Sequence, residues 1–155
     1  ATIRLGMARP TSTMRISTRN QFKGQATVLR IGPVNADVSV DIGGGDQIDA
    51  LVTTKSLESL GIRDGVEVYA LVKASSVMIM SGSAPLKLSA RNQLRGSVIH
   101  CKKGVINGEV TIQLPGGGTV TAIVTNESFD GLELKEGVEA IAVFKSTSVM
   151  LGVES

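Results

Sequence analysis

A chain of 155 residues with a formal charge of +2 lacks the basic excess of a nucleic-acid surface, and it contains no apolar run long enough to span a membrane. Tryptophan is absent and there are only one tyrosine and three phenylalanines, too few for a base-stacking platform. Cys101 is the single cysteine, which excludes an internal disulfide and suits a reducing compartment. Residues 1–13 hold Arg4 and Arg9 but no apolar h-region of the signal-peptide kind, so the expected location is cytoplasmic.

Residues 1–13 are read as an N-terminal extension without an assigned function. From Met14 the chain reads as two copies of one unit. Ser17-Thr18-Arg19-Asn20-Gln21-Phe22-Lys23-Gly24 returns as Ser89-Ala90-Arg91-Asn92-Gln93-Leu94-Arg95-Gly96. The same offset carries Gly32 to Gly104, Thr53 to Thr125, Lys73 to Lys145 and Ser76 to Ser148 without a gap. The units run over residues 14–82 and 86–154, joined by a linker at 83–85. Each is small enough to bury little core alone, so the two are expected to pack on each other or on other chains.

In the first unit Val34, Ala36, Val38, Val40 and Ile42 alternate with polar residues, the period of a half-buried strand. Gly43-Gly44-Gly45-Asp46 then turns the chain into a second strand from Ile48, a β-hairpin that the second unit repeats around Pro115-Gly116-Gly117-Gly118. One short helix follows in each unit, capped by Thr53 and ended by Gly61, or spanning the stretch from Thr125 to Leu132. Each unit closes with a strand pattern broken near Ala74-Ser75-Ser76 or Ser146-Thr147-Ser148. Five strands and a short helix per unit predict an all-β protein of two tandem OB-like five-stranded barrels.

Enzyme constellations are missing. His100 is the only histidine, so neither a catalytic triad nor a histidine metal cluster can be assembled, and no enzymatic role or cofactor is expected. The glycine runs sit within hairpins rather than before a helix and read as turns, not phosphate cradles. Asn126-Glu127-Ser128 matches a glycosylation sequon that a cytoplasmic chain does not use. Both units instead keep a set of anion donors. Ser17 with Arg19, and Ser89 with Arg91, share a face of an extended segment. Lys73 and Lys145 precede the break in the last strand. Thr53, Ser56, Thr125 and Ser128 supply hydroxyls near a helix start, where the same residue types commonly serve only as caps.

The segments Ser-x-Arg-Asn-Gln-x-x-Gly, Gly32 to Val38, Val52 to Ser56 and Lys73 to Val77 resemble the Mop, or molbindin, domain, and two such units in tandem resemble the di-Mop cytoplasmic molybdate-binding proteins. The resemblance extends over residues 14–154. It implies a compact assembly of six Mop units, here a homotrimer, holding molybdate and often tungstate between subunits for molybdenum storage or homeostasis. One implied site class uses Ser17, Arg19, Asn20, Lys73, Ala74 and Ser75, with Thr53 and Ser56 nearby. Its second copy uses Ser89, Arg91, Asn92, Lys145 and Ser146, with Thr125 and Ser128. Another class, near the threefold axis, draws on Val34-Asn35-Ala36 and Ile106-Asn107-Gly108. The oxyanion would be held by hydrogen bonds, without direct metal coordination.

The chemistry suits such a ligand. Molybdate is fully deprotonated near neutral pH, so a shell of donors leaves no acceptor unmet. Hydrogen phosphate carries a proton that such a shell strands, at a cost of about 1–3 kcal/mol. The alternative reading is the ligand-sensing module of a molybdate-responsive regulator or transporter. A nucleic-acid-binding OB unit is disfavoured by the charge and the scarcity of aromatics.

Overall fold

The computed structural model describes Thr18 and residues 20–83 and 86–155. The extension 1–13, Ser17, Arg19, Ala84 and Pro85 lie outside the described residues.

In the first repeat β1 (Asn20–Ile31), β2 (Asn35–Gly43) and β3 (Asp46–Thr53) form an antiparallel meander. The helix α1 (Thr54–Leu60) follows, and β4 (Glu67–Val72) returns to pair with β1. A 3-10 turn at Ala74–Ser76 leads into β5 (Met78–Ser81). The second repeat matches this order with β6 (Asn92–Lys103), β7 (Asn107–Gln113), β8 (Thr119–Thr125), α2 (Asn126–Gly131), β9 (Glu139–Phe144), a 3-10 turn at Ser146–Ser148 and β10 (Met150–Gly152). The expected all-β, OB-like arrangement of two five-stranded sheets is present.

The last strands are exchanged. The first sheet runs β10-β4-β1-β2-β3 and the second β5-β9-β6-β7-β8. β5 leaves its own repeat to pair Met78 with Val143 and Ser81 with Ala140, and β10 crosses back to pair Met150 with Leu71. The break that the sequence places in each final strand is the point where the chain changes sheets. Periodicity locates such a strand but does not reveal its partner. One contiguous buried cluster accordingly runs through both repeats, from Phe22, Val38 and Ile48 to Val110, Val120 and Phe144.

Glycine explains two local features. A β-carbon on Gly24 would lie 2.1 Å from the Asp41 carbonyl oxygen, and one on Gly96 would lie 2.2 Å from that of Gln113. The glycine that closes each Arg-Asn-Gln-x-x-Gly segment therefore admits a close approach of neighbouring backbone. The glycine-rich turns also meet across the molecule, since a β-carbon on Gly44 would sit 2.4 Å from the Gly116 Cα. Each long first strand is bent by a register shift, between Val28 and Arg30 in the first repeat and, two repeat positions earlier, between Val98 and His100 in the second.

The repeats differ where their cores are filled differently. Ala36 is buried in the first, where α1 buries Leu57. The second has Gly108 and Phe129 at these positions, and a β-carbon on Gly108 would lie 2.4 Å from the Phe129 ring. The departure of Ile106-Asn107-Gly108 from the first repeat thus makes room for a larger side chain. Gly108→Ala is expected to destabilise the protein by about 1–3 kcal/mol through overpacking. Adding Phe129→Leu should recover most of that loss, and urea unfolding of the two single variants and the double variant would read the coupling.

Candidate functional site

The crossover brings the second repeat's predicted donors together. Ser89, Ala90, Arg91, Lys145, Ser146 and Thr147 line one open cleft of about 410 Å³, with Leu88 and the exchanged-strand residue Met78 completing its wall. Lys145 stands just before the 3-10 turn, whose internal hydrogen bonds begin at the Ser148 amide, donating to the Lys145 carbonyl at 3.0 Å. The amides of Ser146 and Thr147 are not consumed by the turn. In the first repeat Lys73 holds the same position before Ala74 and Ser75, where the Ser76 amide donates to the Lys73 carbonyl at 2.9 Å. Lys73 and Lys145 are exposed, and neither makes an ion pair or side-chain hydrogen bond among the described residues. Ser17 and Arg19, expected beside Lys73, lie outside the described residues.

Each 3-10 turn packs on the opposite repeat, Ala74–Ser76 on β8 and Ser146–Ser148 on β3. On the β3 side the donors already have acceptors. Arg91 Nη1 donates to Asp37 Oδ2 at 2.6 Å and to Asp49 Oδ2 at 3.2 Å. The Ser146 hydroxyl donates to the same Asp49 Oδ2 at 2.7 Å. Burial pushes the Asp49 carboxyl above the usual carboxylate range and the adjacent Asp37 adds to this, against the pull of the Ser146 hydroxyl and the Arg91 charge. Burial acts upward on Asp37 too, but its interaction with Asp49, the hydrogen bond and charge of Arg91 and the charge of Arg30 hold it below that range. Neither aspartate was legible as a site residue, because each sits in a strand whose alternation explains it as a polar position.

Asn20 and Asn92 do not reach a cleft. Both are buried, and each amide grips the backbone of one residue in the other repeat. Asn20 Nδ2 donates to the Thr121 carbonyl at 2.8 Å, and the Thr121 amide donates back to Asn20 Oδ1 at 2.8 Å. Asn92 does the same with Asp49, at 2.8 and 2.7 Å. Their place in the repeated segment follows from bridging the repeats.

Thr53 and Ser56 are likewise not near Lys73. Thr53 pairs with Asn35 at one end of the sheet, whereas Lys73 follows Val72, which pairs with Asn20 at the other. The length of β1 separates those ends by more than about 25 Å. Thr53 Oγ1 accepts from the Ser56 amide at 3.0 Å and donates to Ser56 Oγ at 2.7 Å, an N-cap arrangement repeated by Thr125 and Ser128 at 3.1 and 2.9 Å. These hydroxyls group with the turns Val34-Asn35-Ala36 and Ile106-Asn107-Gly108, since Asn107 pairs with Thr125 as Asn35 does with Thr53. Val34, Val105 and Ile106 are exposed apolar side chains at that end, Val105 to 97%. Cys101 is free and packs against the core, and the described residues contain no cluster of metal-ligating side chains.

A strand-exchanged pair of OB-like units, with a lysine and hydroxyls at each crossover, defines a tandem β-type binding module. The chain belongs to the TOBE domain family, which matches residues 16–79 and 88–151. It is 48% identical over 141 residues to the molybdenum transport protein ModE of Azotobacter vinelandii, covering 91% of this chain and 52% of that protein. It is 39% identical over 141 residues to the molybdenum-pterin-binding protein MopA of Rhodobacter capsulatus, covering 91% of this chain and 53% of that one. The chain thus spans about half the length of these curated relatives. A crystal structure of the cytoplasmic molybdate-binding protein ModG with molybdate bound superposes with a TM-score of 0.87 at 47% identity, covering 91% of this chain and all of that one.

The paired amides give a structural prediction. Asn92→Ala strands the Asp49 amide and carbonyl at the repeat junction, and should cost about 2–4 kcal/mol. Chemical denaturation would measure it, and a loss under about 0.5 kcal/mol would mean that the bridge is not stabilising.

Proposed function

We propose that this chain binds molybdate, and tungstate with it, reversibly at the crossovers between its repeats, and serves molybdenum storage and homeostasis in the cytoplasm without catalysing a reaction. The observation that carries this reading is the convergence of Ser89, Arg91, Lys145 and Ser146 on one cleft. Lys73, Ala74 and Ser75 hold the matching positions in the first repeat, where Ser17 and Arg19 are assigned by the repeat alone. The names of the relatives, several of which refer to molybdenum, support the ligand. No helix among the described residues is long and apolar enough to cross a membrane.

A homotrimer is the proposed assembly. The exposed Val34, Val105 and Ile106 surround the Asn35 and Asn107 turns, the positions assigned to the second site class. Copies meeting there would bury apolar surface and bring several asparagines and capping hydroxyls to one axis. A ligand bound only by the assembled form would stabilise it by mass action.

The second reading is the ligand-sensing part of a longer regulator or transport protein. Its support is the half-length match to ModE, and the full reading frame would distinguish the two.

Equilibrium dialysis against molybdate in excess sulfate should retain several molybdenum atoms per trimer. Arg19→Ala or Lys73→Ala should lower that number while leaving a folded oligomer, and full retention by both variants would remove the first-repeat assignment. Light scattering should give the mass of three chains, and Val34→Asp combined with Ile106→Asp should reduce it towards one.

A further inference from the structure

We propose that Asp49 makes the two crossover sites of this chain unequal, by acting as a built-in anion in the second-repeat site that the first-repeat site lacks. The inference rests on the oxyanion function proposed above and concerns how that function divides between the repeats.

The two sites are related by the repeat, so a difference between them must come from positions where the repeats differ. Position 37 does not separate them, because its counterpart Glu109 is also acidic. Position 49 does. Asp49 lies on β3, against the 3-10 turn of the second repeat, and its counterpart on β8, against the first repeat's turn, is Thr121. Asp49 Oδ2 accepts from Ser146 Oγ at 2.7 Å and Arg91 Nη1 at 3.2 Å, two donors of the cleft. One carboxylate oxygen stands where an oxyanion oxygen would take the same hydrogen bonds. Thr121 is uncharged and its hydroxyl pairs with that of Thr111 at 3.0 Å, within its own repeat.

An oxyanion entering the Lys145 cleft has to take the Ser146 hydroxyl from Asp49. It then remains beside a carboxylate, and two like charges a few ångströms apart at a partly buried site weaken binding by tenfold or more. The Lys73 site meets no such competitor at this position. The first-repeat site therefore fills first, and the second-repeat site fills only at higher oxyanion concentration, which widens the range over which one chain buffers its ligand.

Single-lysine variants separate the sites. Lys145→Ala leaves the Lys73 site, and Lys73→Ala leaves the Lys145 site. Calorimetric titration with molybdate should find Lys73→Ala at least about tenfold weaker than Lys145→Ala. Adding Asp49→Thr to Lys73→Ala should narrow that gap by strengthening the Lys145 site, and adding Thr121→Asp to Lys145→Ala should weaken the Lys73 site. Asp49→Asn provides a second variant that keeps the side-chain shape, and the bridge from Asn92 uses only the Asp49 backbone, so neither change removes it. Equal affinities in the two lysine variants, unaltered by Asp49→Thr and Asp49→Asn, would overturn the inference and leave the oxyanion function standing. Absence of molybdate binding by the unsubstituted protein would overturn both.

Discussion

Neither repeat completes its own sheet, and the rest of the molecule follows from that constraint. β4 and β9 each have one side paired within their own repeat and the other covered by a strand from the opposite repeat. Without the exchange each would present an open edge on a unit too small to bury a substantial core. Crossing over joins two marginal units into a single buried cluster. The chain has to bend out of one sheet and into the other, and it does so in a 3-10 turn of small residues, all hydroxyl-bearing except Ala74. A lysine just before that bend, a hydroxyl within it and a strand of the opposite repeat then meet without a dedicated loop. The candidate site is a consequence of the crossing.

The buried asparagine fixes this geometry. Its amide presents one acceptor and one donor to a single residue across the junction, as a neighbouring strand would, so it continues strand-like pairing from one repeat to the other. Because the residue gripped is Asp49 or Thr121, the same bridge sets which side chain lies beneath the crossover turn. Only the backbone is needed for the grip, which leaves that side chain free to differ between the repeats. Duplicate cores diverge by compensation at one pair, where Ala36 with Leu57 is answered by Gly108 with Phe129, and among other buried positions Phe22 and Val72 become Leu94 and Phe144.

Much of the fold was legible from period and punctuation. The alternation from Val34 to Ile42, the glycine turns, the Thr53 cap and the end at Gly61, which adopts φ 68°, are all local signals, and all are present. The partner of a strand is a non-local fact, so the exchange was not legible although the break that permits it was. The same limit governs the site. Donors could be recognised by type and by their recurrence in both repeats, but recurrence does not say whether Asn20 and Asn92 face a ligand or the other repeat. Nor could spacing separate Thr53 and Ser56 from Lys73, since only the run of β1 shows that they occupy opposite ends. Asp37 and Asp49 were hidden because an acidic residue in an alternating strand needs no further explanation until a cation from elsewhere is found against it.

The distribution of partners also separates the basic residues by role. Arg91 neutralises two carboxylates, one of them buried with an oxygen, Asp37 Oδ1, that has no hydrogen-bond partner. Removing its guanidinium would leave both acids uncompensated, and a buried charge without its partner is strongly destabilising. Arg91 therefore serves the repeat junction whether or not a ligand is bound, and a loss of binding on its removal would mix two effects. Lys145 and Lys73 neutralise nothing among the described residues, while the fold brings each to a crossover. A charge that no described residue neutralises, placed in both repeats beside amides that the 3-10 turn's own hydrogen bonds do not use, is the part of the site that folding alone does not explain.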